Sequence, residues 1–250
     1  MAFRMRLAAV VFALGACVAP FASASAAETV DDLVAKHVAA RGGLQALRAI
    51  SSLSSTGKML IPGFNVEVGY KEIVIRPGSA RVDVSIQGLT AVQAYDGTTA
   101  WQIQPFQGRK DPEKMTADDA KQLQDMADFE DALVDYKAKG NTVEYLGTQD
   151  VDGAPAYVLR AKLRDGDVQT YYLDPDAMLA VRVESLKVVR GAEVQTVSDL
   201  GDYEKVAGVY FPFEISTGQR GSSQRTLITL DKVVANGNVP ASLFSFPAGR

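Results

Sequence analysis

The sequence is poor in the side chains that carry most enzyme chemistry. It has one histidine (His37), one cysteine (Cys17) and one tryptophan (Trp101) in 250 residues. A zinc centre needs several His, Cys or carboxylate ligands, and a Cys–His or Ser–His pair needs a placed imidazole. Neither is readily assembled here, and no metal or cofactor is expected. A lone cysteine forms no internal disulfide, so packing must carry the stability. Positive charge is also short. Lys and Arg number 26 against 30 Asp and Glu, for a net charge of −4. That leaves no basic footprint for nucleic acid or for an acidic membrane surface. The chain lacks a G-x-G-x-x-G or G-K-[ST] phosphate loop and a G-x-S-x-G nucleophile elbow. What it does have is an ordinary globular composition, 47% hydrophobic and 22% charged.

The first 26 residues read as an export signal. Arg4 and Arg6 precede an apolar run from Leu7 to Val18 that is too short to span a bilayer. Pro20 breaks the run, and Ala24-Ser25-Ala26 offers a small-residue cleavage step after Ala26 or Ala27. A second reading competes: Leu14-Gly15-Ala16-Cys17 resembles a lipobox, in which Cys17 is acylated and becomes the first residue.

Downstream, Thr29-Val30-Asp31-Asp32 has the form of a capping box. Val30, Leu33, Val34 and Val38 follow at helical spacing, Gly42-Gly43 interrupts, and Leu44, Leu47 and Ile50 continue the stripe. His37 lies beside that stripe, and nothing nearby in sequence supplies an orienting pair for catalysis. It is expected to be a satisfied or surface histidine. From Ser51 the period changes to two. Phe64, Val66, Val68 and Tyr70 alternate with polar neighbours, as do Val82, Val84 and Ile86. Pro62-Gly63, Pro77-Gly78 and Asp96-Gly97 mark the turns.

Residues 105–115 read as a polar loop. Thr116-Ala117-Asp118-Asp119 then caps a central helix expected to run to about Lys139, with Leu123, Met126 and Leu133 on one face. Strands resume over 142–150, 155–163, 168–174, 179–187, 193–205, 209–219 and 224–235. The paired acids Asp150/Asp152, Asp165/Asp167 and Asp174/Asp176 are centred on turns and read as turn chemistry before calcium. A dozen or so antiparallel strands in hairpin order with helical inserts make one mainly β domain, about 11–12 strands in all.

Residues 70–106 resemble the bacterial lipoprotein carrier LolA and its receptor LolB. The resemblance rests on Arg76-Pro77-Gly78, then Arg81-Val82 in a strand, then Tyr95-Asp96-Gly97-Thr98-Thr99-Ala100-Trp101. Phe244-Ser245-Phe246-Pro247 is similar to the family's closing Phe-x-Phe-x-Pro. Ile73 departs from the pattern where carriers usually have an aromatic, and Ala80 and Val82 replace bulkier residues.

The resemblance implies an unclosed antiparallel β-barrel over 27–250, covered by an N-terminal helix and a central helix that act as a lid. It implies a non-enzymatic periplasmic carrier for acyl chains of lipoproteins or other lipids. Its expected exchange partners are an inner-membrane transporter and an outer-membrane acceptor, and the protein is expected to be monomeric. Strand candidates for an apolar cavity are Val66, Val68, Tyr70, Val82, Val84, Ile86, Phe211 and Phe213. Leu123, Met126 and Leu133 are candidates for the lid face, and Arg76 inherits the role of lid latch. The alternatives are an outer-membrane receptor lipidated at Cys17, an envelope sensor or scaffold on the same fold, and a carboxylate hydrolase.

Overall fold

A computed structural model describes residues 28–247. The expected export signal, its cleavage step and Cys17 lie outside the described residues. Helix α1 (Val30–Ala40) starts at Thr29, whose side chain accepts from the Asp32 amide while Asp32 reaches back to the Thr29 backbone. This is the capping box read from sequence, with Asp31 and Asp32 also facing the positive helix end. Gly42 separates α1 from α2 (Leu44–Ala49) with φ at +124°. A Cβ there would stand 2.2 Å from the Gly208 carbonyl oxygen, so the turn docks closely only because Gly42 has no side chain.

The period-two segments form β1 (Ser52–Ile61), β2 (Val66–Ile75), β3 (Ser79–Ile86), β4 (Leu89–Tyr95), β5 (Ala100–Gln104) and β6 (Arg109–Lys114). Helix α3 (Ala117–Met126) follows. The chain then continues as β7 (Thr142–Val151), β8 (Ala154–Lys162), β9 (Val168–Leu173), β10 (Ala180–Val189), β11 (Ala192–Val206), β12 (Val209–Gln219) and β13 (Thr226–Ala235). All pair antiparallel in one 13-stranded sheet, in the order β6-β5-β4-β3-β2-β1-β13-β12-β11-β10-β9-β8-β7. Two runs of hairpins are thus joined by the β1–β13 ladder, and α3 lies in the connection between the two edges. β6 and β7 do not pair with each other, so the barrel is unclosed. Edge strand β6 is blunted by alternating charge and Pro112.

The structure corrects several sequence expectations. The 105–115 segment is a short 3₁₀ turn followed by β6, not a polar loop; pairing to β5 makes a strand of a sequence with almost no apolar residues. The sheet therefore has 13 strands. Phe64 does not lie in a strand: β2 begins at Val66, and Phe64 stands at the hairpin tip, 79% exposed. The central helix ends at Met126 rather than near Lys139. Beyond it, 127–140 is a run of turns in which the Asp128 and Asp131 side chains accept backbone N–H groups two and three residues on. Such local bonds compete with helix. Leu133 therefore sits on a turn, yet it is fully buried against Leu33, Leu159 and Leu173.

The paired acids do serve turns. Asp150 accepts from Gly153 N–H, Asp165 from Asp167 N–H, and Asp174 from the Asp176 and Ala177 N–H groups. The C-terminal segment straps the outer face. Phe244 is buried, its carbonyl accepts the Trp101 indole N–H at 2.7 Å, and the Leu243 carbonyl accepts from Arg81 at 2.8 Å.

Candidate functional site

Register defines the inner face of the sheet. Val82 packs against Leu123 of α3, and Val74 packs near Met126, so both point toward the helices. Cross-strand partners share a face, and Val82 pairs with Glu72, which pairs with Ser55. The next rows are Val84–Tyr70–Gly57 and Val68–Met59. Met59 continues to Ile228 of β13 and Ile215 of β12, beyond which Phe213 and Phe211 lie on the same side. Every strand residue proposed from sequence as lining thus falls on the concave face. They are not equally covered. Val68, Tyr70, Phe211 and Phe213 are buried, whereas Val66, Val82, Val84 and Ile86 are only half-buried. Helix α3 packs mainly on β3, β4 and β5. Half-buried apolar side chains continue the inner wall across β1, β13 and β12 at Met59, Ile228 and Ile215.

One polar pair interrupts it. The Tyr70 hydroxyl donates to Glu72 Oε2 at 2.5 Å. Burial pushes the Glu72 carboxyl up from its ordinary value, only partly offset by that hydrogen bond, and burial likewise pushes the Tyr70 phenol up. Sequence reading missed Glu72. The available signal was an acid in phase with Val68, Tyr70 and Val74 on a strand whose other polar residues are out of phase.

The central segment 117–140 packs on β3, β4 and β5 through α3 and on α1 and α2 through Leu133 and Val134, and it is held by charge. Asp119 pairs with Arg190 at 2.5 Å, Asp125 with Lys187, and Asp135 with Arg48 at 2.6 Å. Arg76 makes three hydrogen bonds from one guanidinium. Its Nε donates to the Ile50 carbonyl at 2.8 Å, and its Nη2 donates to the Leu47 carbonyl at 3.3 Å and to Glu130 Oε1 at 2.5 Å. The guanidinium also stacks 4.6 Å from the Phe129 ring centroid. One side chain therefore bridges the end of α2 to the central segment.

A second anchor lies at Asp131. His37 Nε2 and Arg41 Nη1 both donate to Asp131 Oδ2, at 3.0 and 2.5 Å, while His37 Nδ1 donates to the Met178 carbonyl at 2.7 Å. Both ring nitrogens therefore face oxygens, one on the central segment and one on the loop before β10. Burial works to raise the Asp131 carboxyl, but His37 and Arg41 outweigh it and hold the group well below the usual carboxylate range. His37 is satisfied, as expected, although the orienting acid lies 94 residues away in sequence.

A hollow of about 710 Å³ opens between the central segment and strands β9 to β12. Its walls include Arg41, Glu130, Asp131 and Lys139 as well as Leu200 and Phe211. Of the lining residues proposed from sequence only Phe211 borders it, and its wall is mixed rather than wholly apolar. The charges come from the clasp that closes the segment, which the strand pattern could not report. Among the described residues no helix is long and apolar enough to cross a membrane.

No protein-family model and no curated protein matches the chain. Solved structures do. The chain superposes on a domain described as an outer membrane lipoprotein-sorting protein from Vibrio parahaemolyticus with a TM-score of 0.58 and 10% identity, covering 86% of this chain and 97% of that one. A LolA superfamily protein from Nitrosomonas europaea gives a TM-score of 0.55 at 13% identity, covering 88% and 98%. The chain has a LolA-like fold. At 10% and 13% identity the likeness is one of fold.

Proposed function

We propose that this protein is a non-enzymatic carrier that binds the acyl chains of lipoproteins or other lipids in the concave trough. In this reading it works in the bacterial periplasm, taking cargo at an inner-membrane transporter and delivering it to an outer-membrane acceptor. The observation that carries the reading is the set of half-buried apolar side chains on the inner wall, Val66, Val82, Val84 and Ile86 among them, with Val82 against a central segment held by ion pairs. Half-buried valines and isoleucines on an inner wall are surface that a hydrocarbon chain can still dehydrate.

Magnitudes favour a cover that resists. Burying one sixteen-carbon chain is worth ~12 kcal/mol at ~0.8 kcal/mol per CH₂. Several chains fully enclosed would pass the practical affinity ceiling of about −21 kcal/mol, and cargo would never leave. Opening the Arg76–Glu130 and Asp131 contacts on loading opposes binding and keeps it reversible. Arg76 is then a latch, and Leu123, Met126 and Leu133 are the apolar underside of the cover.

Native mass spectrometry of the protein purified from its own host tests the reading. A bound species of lipid or lipoprotein mass is expected. Protein that carries no lipid, and that after delipidation binds no fluorescent fatty-acid probe, would overturn it.

A further inference from the structure

Glu72, half-buried on the inner wall, differs from other acids of low exposure. Glu130 meets Arg76 and Lys139, Asp131 meets His37 and Arg41, and Asp167 meets Lys121 at 2.8 Å. Among the described residues Glu72 has no cationic partner, and its one side-chain hydrogen bond is the Tyr70 hydroxyl on Oε2. Oε1 is left free. The register surrounds the carboxyl with Ser55 and Val82 on either side and with Tyr70 and Val74 along its own strand. Val82 in turn lies under Leu123 of the cover. A carboxyl in such a place is costly for folding, since a leucine would pack there without the desolvation penalty. It is also selective, because a half-buried carboxylate with one oxygen unpartnered attracts a cation and repels an anion more than one in open water does.

We infer that Glu72 selects the polar end of the cargo: the trough favours an aliphatic chain ending in an ammonium group and rejects one ending in a carboxylate. This rests on the carrier reading and deepens it. The Tyr70 hydroxyl fixes the carboxyl by holding Oε2, which leaves Oε1 to accept from the ammonium. A hydroxyl-ended chain can donate one hydrogen bond to the same oxygen without charge and falls between the two.

The test uses delipidated full-length protein loaded with a neutral naphthyl fluorophore, displaced by dodecylamine, dodecanol or dodecanoate below their micelle concentrations. Dodecylamine is expected to displace the fluorophore at a concentration about 10-fold lower than dodecanoate, with dodecanol between them. In Glu72→Gln the amine and carboxylate should converge to within about 2-fold while dodecanol is unchanged. Glu72→Leu, which also removes the desolvation cost, serves if the amide variant does not fold. Equal potency of amine and carboxylate on the native protein, or a preference that survives in a folded variant, overturns the role of Glu72 and leaves the carrier reading standing. Failure of the fluorophore and of all three chains to bind overturns both.

Discussion

His37 and Asp131 pin the central segment to the first helix across a buried 3.0 Å hydrogen bond, with Arg41 on the same carboxylate oxygen. The contact ties α1 to a stretch of turns that has little regular structure of its own. Order in 127–140 therefore comes from what it touches, chiefly Asp131, Glu130 and the buried Leu133 and Val134.

Asp131→Asn should cost about 3 kcal/mol at neutral pH, because it strips Arg41 of its counter-charge and weakens the hydrogen bond to His37. The sign of the pH dependence follows from the lowered Asp131 carboxyl. Its contribution is complete above the unfolded aspartate value of about 3.9 and fades as the pH falls below that toward the folded value. Urea unfolding of the native protein and the variant should show a constant gap down to about pH 4 that closes only in stronger acid.

Arg76→Leu removes the bridge between α2 and the central segment and leaves Glu130 with Lys139 at 3.6 Å as its remaining cation. Amide hydrogen exchange across 127–140 should accelerate, and a bound fatty-acid probe should be held more tightly because opening no longer has to break the latch. Arg76→Lys keeps the charge but not the fork, and should resemble the leucine variant more than the native protein. Unchanged exchange and unchanged probe affinity in both variants would sink the latch.

Val84→Trp places a large ring on the half-buried inner wall. Probe affinity should fall about 10-fold or more while the melting temperature moves little, since the side chain enters open space rather than a packed core. A variant that binds the probe normally would mean the chain lies elsewhere.

Phe244→Ala removes a buried ring from the outer strap and should cost about 3 kcal/mol. Trp101 is the only tryptophan and lies against this strap through its indole N–H. Its fluorescence emission should shift to the red in the variant while cargo binding on the opposite face persists.

Much of the fold was legible because it is written in short-range patterns. Thr29 and Asp32 cap α1, Pro62-Gly63 and Asp96-Gly97 turn their hairpins, and the alternation over Val66–Tyr70 and Val82–Ile86 sets the apolar face. The same alternation is why the lining candidates share one wall: a period of two fixes the side of a sheet as soon as one residue is placed. Composition alone made metal and nucleophilic chemistry improbable, because the chain has a single histidine and a single cysteine.

The tertiary structure decided everything that depends on residues distant in sequence. It made a strand of Arg109–Lys114 by giving it β5 to pair with, and it ended the central helix at Met126 although the apolar spacing ran on. It brought His37 to Asp131 and Arg76 to Glu130, and among the described residues it left Glu72 with the Tyr70 hydroxyl and no cation. Periodicity tells which side of an element a residue faces. Which charge meets it there depends on how elements far apart in the chain pack, and desolvation makes that meeting decisive.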